Sequence, residues 1–271
     1  MPTVTGINQI DSLLAGSEFR WNKDMPAGTA VDVTFSFAAE VSIYALPDDP
    51  EIQGFSQFNA EQQVATRAIL TRIASEFNIS FTEVDGSASF GQINFYNTDQ
   101  GETSSGAAFY PFAYEDDDYS GDLFINNAEP ENLTNIIPGS RAWSTLVHEI
   151  GHTIGLKHPG NYNAGEDASA VQETPFLSAT EDHVWYTVMS YTEAPQEQER
   201  DWFGILDLGA LAYLYGKKAV ATGDDTYTYT DAAGENLTLI DDASGTDTID
   251  VSQITLGVTL DMRSGALSSI G

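Results

Sequence analysis

The sequence of 271 residues predicts an α+β fold, in which a mixed twisted sheet and long helices over residues 1–220 precede a short β-rich segment over residues 221–271. Two apolar periodicities indicate this fold. Residues 31–37 alternate apolar and polar side chains, which is typical of a half-buried strand. After Asn59, which can cap a helix, apolar residues recur with helical spacing. These residues are Ala65, Ile69, Ile73 and Phe77.

The remaining elements follow from shorter patterns. Residues 93–96 and 123–126 are predicted to be short strands. A later helix is predicted to be lined by the apolar residues Trp143, Leu146, Val147, Ile150 and Ile154. A further helix is predicted to end at Gly216. Three more strands are predicted beyond it. They cover residues 226–229, 237–240 and 258–260.

The composition excludes several classes of partner. The chain has 41 acidic against 10 basic residues and a formal net charge of −31, so it repels nucleic acids and anionic membranes. No apolar run approaches the ~18 residues that would cross a bilayer, so we expect no membrane insertion. The chain contains no cysteine and therefore no disulfide, so its stability must come from the core and from bound ions.

One short stretch with the pattern H-E-x-x-H-x-x-G-x-x-H predicts a metal centre. His148 and His152 are one helical turn apart, so their imidazoles leave the same face of a helix. Gly155 can take a positive φ and turn the chain back, which brings His158 to the other two rings. Three neutral imidazoles leave the fourth tetrahedral position open, as in a catalytic Zn2+ site. Glu149 lies within reach of a water molecule at that position.

A second signature follows downstream at Val188-Met189-Ser190-Tyr191. It has the form of the Met-turn that accompanies this zinc motif. Met189 is expected to form an apolar floor under the zinc ligands, and Tyr191 is expected to point its phenol toward the metal. The fourth histidine of the chain, His183, lies outside both motifs and is interpreted as a loop residue.

Taken together, these motifs resemble those of the serralysins, secreted bacterial zinc endopeptidases of the metzincin type. The helix beginning near Asn59 and the segment Pro-Gly-Asn-Tyr-Asn after His158 also resemble the corresponding segments of the family. The helix over residues 206–216 resembles another helix of the family. The resemblance extends from about residue 10 to residue 271. The resemblance therefore implies a metzincin-type protease domain followed by the start of a calcium β-roll. Only one repeat fragment, at residues 244–250, is present, so the β-roll is expected to be truncated.

The resemblance implies an endopeptidase that hydrolyses peptide bonds of extended protein or peptide substrates. Glu149 would act as the general base on a metal-activated water, and Tyr191 would be an extra zinc ligand at rest and a donor to the oxyanion. The substrate would add as an antiparallel strand to an exposed sheet edge. The residues of that edge are Gly106, Ala107, Ala108, Phe109 and Tyr110. The resemblance also implies a monomer that is secreted to the extracellular space by type I export.

Structural Ca2+ is implied at the junction of the two domains. By resemblance, two short acidic segments would enclose one ion with carboxylate and carbonyl oxygens. The carboxylates would come from Asp242 and Asp247, and Asp225 could offer either kind of oxygen. The carbonyls would come from Ala221, Gly223 and Ser244.

Two alternative functions stay open at this point. One is a non-proteolytic, metzincin-like adhesion or binding module of a larger calcium-repeat protein, although the intact Glu149 argues against it. The other is a different zinc hydrolase, such as a deacetylase or amidase, although the third histidine and the Met-turn argue against that. The cleavage preference depends on loop geometry between His158 and Met189, so the sequence does not predict it.

Overall fold

The computed structural model describes residues 5–40, 53–113, 119–162, 174–195, 198–231 and 236–270. The described part has the predicted α+β architecture, with one six-stranded mixed sheet. The strands of this sheet are β1 (Val31–Phe37), β2 (Ser56–Gln57), β3 (Ile79–Glu83), β4 (Ile93–Thr98), β5 (Gly106–Ala108) and β6 (Leu123–Asn126). The helices are α1 (Asn8–Asp11), α2 (Ala60–Glu76), α3 (Arg141–Thr153) and α4 (Ile205–Tyr215), and a 3-10 turn covers Pro130–Leu133.

The sheet is parallel except at two positions. β1 pairs in parallel with β3 and with β4, and β4 pairs in parallel with β6. β5 runs antiparallel to β6 and forms one edge of the sheet. β2 is antiparallel to the last part of β4, beyond the end of β1. The predicted strands 31–37, 93–96 and 123–126 are confirmed, and β4 extends two residues further than predicted.

Helix α2 begins with a capping box. The Asn59 side chain accepts a hydrogen bond from the Gln62 amide at 3.0 Å, and the Gln62 side chain accepts one from the Asn59 amide at 2.9 Å. The predicted apolar stripe is buried as expected. Its last member, Phe77, lies just beyond the helix in extended conformation, because the chain turns there into β3.

Helix α3 lies between the sheet and the rest of the core. Its apolar face packs into a buried cluster that also contains side chains from α2, α4 and the sheet. The chain before the sheet contributes as well, because Leu14 forms a β-bridge with Leu156, just after α3. Helix α3 also contacts β5 and β6 at the edge of the sheet. Some of its side chains are therefore held beside an edge strand.

The C-terminal segment is rich in short strands. β8 (Thr226–Thr230) pairs in parallel with β10 (Thr248–Gln253), and β11 (Val258–Thr259) pairs antiparallel with β12 (Ser269–Ile270). β9 (Asn236–Leu237) pairs with β7 (Glu199–Arg200).

Two of the predicted strands in this segment are shorter than expected. The strand predicted at 237–240 ends at Leu237, because its partner β7 offers only two residues. The strand predicted at 258–260 ends at Thr259, where its two-residue partner β12 also ends. Within the described residues, no helix combines the length and apolarity needed to cross a bilayer.

The capping box gives a test of the fold. Asn59→Ala should lower the free energy of unfolding by about 1 kcal/mol, because the first turn of α2 loses its side-chain acceptor. Urea denaturation measures the change. Thr71→Ala, at an exposed position of α2, is the control and should not lower the midpoint, because alanine favours the helix more than threonine does. Equal midpoints for Asn59→Ala and the unmodified chain would contradict this account of the helix start.

Candidate metal centre

Three histidine side chains meet at the end of α3. His148 and His152 lie one turn apart on the helix, and the chain turns at Gly155 with φ +99° before it reaches His158. A side chain at Gly155 would be obstructed, since a Cβ there would lie 2.4 Å from the Phe19 carbonyl oxygen. The turn therefore requires glycine both for its φ and for its space.

The three rings are arranged as metal ligands. The Nε2 atom of His158 lies 3.1 Å from the Nε2 atoms of both His148 and His152. His148 Nδ1 lies 2.8 Å from the Val188 carbonyl and His152 Nδ1 lies 2.7 Å from the Leu156 carbonyl. A carbonyl oxygen only accepts, so each of these Nδ1 atoms carries the hydrogen and each Nε2 presents a lone pair. His158 also hydrogen-bonds the backbone, at Tyr162.

Lone pairs that converge in this way repel one another unless a cation lies between them. Tetrahedral zinc with Zn–N bonds of about 2.0–2.1 Å holds its ligand nitrogens about 3.3 Å apart, close to the observed separations. The backbone partners of the rings are the outer contacts that orient zinc-binding histidines in proteins. The residues present therefore fit a zinc ion.

Burial keeps the three imidazoles neutral. It lowers the pKa of His148 to about 4 and that of His152 to about 3, with the charge of His148 as a further cause for His152. The pKa of His158 is also held well below its ordinary value, by burial first and by the two other histidines second. At neutral pH the rings are thus in the form that binds metal.

Glu149 lies beside the three rings but does not belong to the histidine cluster. Its carboxyl is buried, and this burial raises its pKa to about 8. It contacts the start of β5, because a Cβ added at Gly106 would lie 2.8 Å from Glu149 Cγ. Both residues line a cleft of about 470 Å³, which also includes His148, Val188 and Tyr191. The cleft therefore joins the edge strand to the histidine cluster.

Met189 of the predicted Met-turn is fully buried against α3, since a Cβ at Gly151 would approach its sulfur to 2.8 Å. Tyr191 is 44% exposed, with its ring centroid 4.6 Å from His158 and 6.0 Å from His148. The structure thus places Tyr191 next to the cluster and at the wall of the cleft.

A buried carboxylate, Asp207, holds the Met-turn in place. It accepts hydrogen bonds from the Thr187 hydroxyl at 2.5 Å, the Val188 amide at 2.8 Å and the Gly204 amide at 2.7 Å. Burial raises its pKa to about 6, although these hydrogen bonds act in the opposite direction. The sequence does not predict this role, because an aspartate in the first turn of α4 is equally consistent with a residue that only caps the helix.

The predicted substrate edge is only partly a strand. Gly106, Ala107 and Ala108 form β5, which pairs with β6 alone in the described part of the chain. The Ser105 carbonyl accepts from the Asn126 amide at 3.0 Å, and the Phe109 amide donates to the Asp122 carbonyl at 2.9 Å. Backbone groups of an antiparallel strand alternate in direction, so Gly106 and Ala108 direct theirs away from β6.

The last two residues of the predicted edge lie beyond β5. Phe109 packs its ring against Tyr119 and Phe124. Tyr110 lies between Phe19 and His152, at 5.6 Å from each ring. His183 is separate from the cluster, with its ring stacked on Trp185 at 4.0 Å.

The C-terminal segment contains a second candidate ion site. Carboxylate oxygens of Asp225, Asp242 and Asp247 lie within 4.8 Å of one another. Asp225 Oδ2 is buried without a hydrogen-bond partner, which is costly unless a cation lies near it. The other predicted ligands lie on the same two loops. Gly223 adjoins Gly245, where an added Cβ would lie 1.9 Å from the Gly223 carbonyl oxygen.

Two further expected calcium ligands already have backbone contacts. The Ala221 carbonyl accepts hydrogen bonds from the Ala243 amide at 3.3 Å and from the Ser244 amide at 3.4 Å. The Ser244 amide also donates to Asp242 Oδ1 at 3.1 Å. Ser244 therefore lies at the carboxylate cluster, and Ala221 lies next to Ser244.

Comparisons with known proteins agree with this geometry. A family model described as metallo-peptidase family M12 matches residues 24–202. Serralysin C of Dickeya chrysanthemi is 31% identical over 99% of this chain and 59% of its own length. Serralysin of Proteus mirabilis is 30% identical over 95% of this chain and 57% of its own length. The chain thus spans somewhat less than three fifths of the curated relatives that it matches.

The turn at Gly155 gives a test of the site. Gly155→Ala should raise the dissociation constant for zinc by about 10-fold or more, because displacement of the loop carries His158 away from the other rings. Zinc competition with a chromophoric chelator measures this constant. Gly6→Ala is the control, since Gly6 has φ +83° but open space around its Cβ position. Undiminished zinc affinity in Gly155→Ala would contradict the proposed ligand geometry.

Proposed function

Because this chain belongs to metallopeptidase family M12 and is of the serralysin type, we propose that it is a zinc-dependent endopeptidase. The observation that carries the proposal is the convergence of three imidazole lone pairs beside a buried glutamate and an open sheet edge. His148, His152 and His158 would hold the ion. When bound, zinc supplies Lewis-acid chemistry that makes water a competent nucleophile near neutral pH.

Glu149 is proposed as the general base. It lies in the cleft next to His148, and its carboxylate would take a proton from the attacking water. The same carboxyl would then deliver this proton to the nitrogen of the leaving amine. Burial raises the pKa of this carboxyl, and a cation held by the three histidines would lower it again, toward the range in which a carboxyl both takes and gives protons.

Tyr191 is proposed to stabilise the oxyanion, and at rest it could be an additional zinc ligand. Its ring is close to His158, yet nearly half exposed to the cleft, so the phenol has room to reach a substrate. A hydroxyl that donates to the developing negative charge acts chiefly in the transition state.

The substrate is proposed to bind as an extended strand antiparallel to β5. Gly106 and Ala108 offer outward backbone groups for it. A substrate that runs antiparallel to β5 has its C-terminal part beside residues 102–106. These residues line the cleft together with Ser144 and Thr145 of α3. The side chain that follows the scissile bond would therefore enter the cleft.

The C-terminal segment, from residue 221, is proposed to be a second domain that binds one structural Ca2+. The three convergent aspartates and the unpartnered oxygen of Asp225 support this. The resemblance to serralysins further supports an extracellular site of action on protein or peptide substrates, with the enzyme as a monomer.

A non-proteolytic adhesion or binding module is the alternative. The geometry favours catalysis over this alternative. Burial of the Glu149 carboxyl beside the histidines lowers the stability of the fold, and carboxyls buried in this way are typical of catalytic sites. Digestion of casein with and without a chelator separates the two functions.

Removal of the base tests the mechanism. Glu149→Ala should keep its zinc, since Glu149 is not among the proposed ligands, but should lose at least about 10²-fold in turnover. Peptide cleavage and metal analysis of the same sample measure both. The control is Glu193→Ala, which removes another carboxylate from the cleft and should retain most activity. Cleavage by Glu149→Ala at nearly the unmodified rate would contradict the assignment.

Replacement within the edge strand tests the binding mode. Ala108→Pro removes an outward amide and should lower kcat/KM for long peptides by about 5–10-fold, as expected for a lost hydrogen bond. Ala108→Val keeps the amide and should retain activity. The proposal fails if both variants cleave long peptides equally well, or if a bound inhibitory peptide is found away from β5.

Calcium should stabilise the protein through the aspartate cluster. Millimolar calcium, added after chelator treatment, should raise the melting temperature by several degrees, because only the folded loops bind the ion. Asp242→Ala combined with Asp247→Ala should abolish this rise and leave the zinc content unchanged. Asp250→Ala is the control, because Asp250 lies in β10 and outside the cluster. A melting curve of the unmodified chain that ignores calcium rules the site out.

A further inference from the structure

Tyr191 is in contact with a second tyrosine that none of the steps above uses. The rings of Tyr162 and Tyr191 are stacked, with centroids 4.8 Å apart and planes 27° apart. The Tyr191 amide also lies 3.4 Å from the Tyr162 hydroxyl oxygen, to which it donates. Tyr162 contacts the cluster itself, at 5.7 Å from the His158 ring. Tyr162 therefore touches both the backbone and the ring of Tyr191.

One carboxylate oxygen joins Tyr162 to the Met-turn. Asp182 Oδ1 accepts from the Tyr162 hydroxyl at 2.6 Å and from the Ser190 hydroxyl at 2.6 Å. The Ser190 hydroxyl in turn accepts from the Thr192 amide at 3.0 Å. The residues on both sides of Tyr191 are thus tied to Asp182, as is the ring stacked on Tyr191.

The arrangement is closely packed around Gly160. A Cβ at that position would lie 2.1 Å from Tyr162 Cε1 and 2.7 Å from Asp182 Oδ2. Burial and the hydrogen bond to Asp182 raise the pKa of the Tyr162 phenol far above its ordinary value, so it stays protonated and remains a donor. Three loops, around residues 160, 182 and 190, are therefore joined by short contacts beside the histidine cluster.

We propose that Tyr162 and Asp182 are positioning residues that hold the Tyr191 phenol beside the catalytic metal, which rests on the proposed role of Tyr191. Stacking against Tyr162 restricts the orientations that the Tyr191 ring can take. The hydrogen bonds through Asp182 fix the backbone from which that ring extends. Tyr162 thus acts on turnover only through Tyr191.

A double-mutant cycle tests this dependence. Tyr162→Phe should lower kcat by about 3–10-fold with little change in KM, the kinetic equivalent of one lost hydrogen bond. Tyr191→Phe should lower kcat by about 10–10³-fold. In the Tyr191→Phe background, the Tyr162→Phe change should cost nothing further, because its effect passes through the missing phenol. Tyr213→Phe, on α4, removes a hydroxyl elsewhere and is the control.

The outcomes of the cycle distinguish the positioning role of Tyr162 from the proposed role of Tyr191 itself. If the losses of the single variants multiply in the double variant, Tyr162 does not act through Tyr191 and the inference is overturned. If Tyr191→Phe turns over at the unmodified rate with only KM changed, the proposed role of Tyr191 is itself wrong. Asp182→Asn keeps an acceptor oxygen and should retain most of the activity that Asp182→Ala loses.

A measurement without metal or substrate checks the positioning directly. With 3-fluorotyrosine at position 191, the metal-free protein should give one fluorine resonance shifted from that of free fluorotyrosine by the stacked ring. Tyr162→Leu should move this resonance toward the free value, whereas Tyr213→Phe should leave it in place. An unchanged resonance in Tyr162→Leu would overturn the proposal, whatever the kinetic result.

Discussion

The convergence of three neutral imidazoles is the constraint on which the rest of the site depends. The Nε2 atoms of His148 and His152 each lie 3.1 Å from that of His158, which brings together lone pairs that repel without a cation. Surrounding contacts hold the rings in this arrangement: carbonyl oxygens orient them, and burial keeps them uncharged. The binding energy of a cation would thus be coupled to the folding of these loops.

Distant parts of the chain supply further contacts that hold the three histidines in this arrangement. The Trp21 indole donates to the Thr153 carbonyl at 2.8 Å, and Leu14 pairs with Leu156, so the N-terminal segment holds the turn between the second and third histidines. On the other side, Asp207 of α4 holds the amide of Val188, whose carbonyl orients His148. Helices and loops far apart in sequence therefore fix one small set of atoms.

Local patterns predicted much of the fold and the metal cluster. The cap at Asn59 and the glycine turn at Gly155 are decided largely by neighbouring residues, and both appear in the structure. The alternation in β1 holds only as far as Phe35, because the polar Ser36 is buried and donates a hydrogen bond to Asn94. Strand ends in the C-terminal segment were predicted less well, because they depend on short partners such as β7 and β12. Contacts such as Asp182 with Tyr162 leave no local pattern, since they join separate loops through single hydrogen bonds.

A zinc titration tests whether the three histidines form a catalytic zinc centre. Protein freed of metal and kept in saturating calcium is given measured amounts of zinc, while cleavage of a quenched fluorescent peptide is followed. We expect cleavage to be absent at the start, to rise in proportion to added zinc, and to stop rising at one equivalent per chain. Full cleavage by the metal-free protein, or cleavage that does not follow the amount of bound zinc, would contradict this expectation.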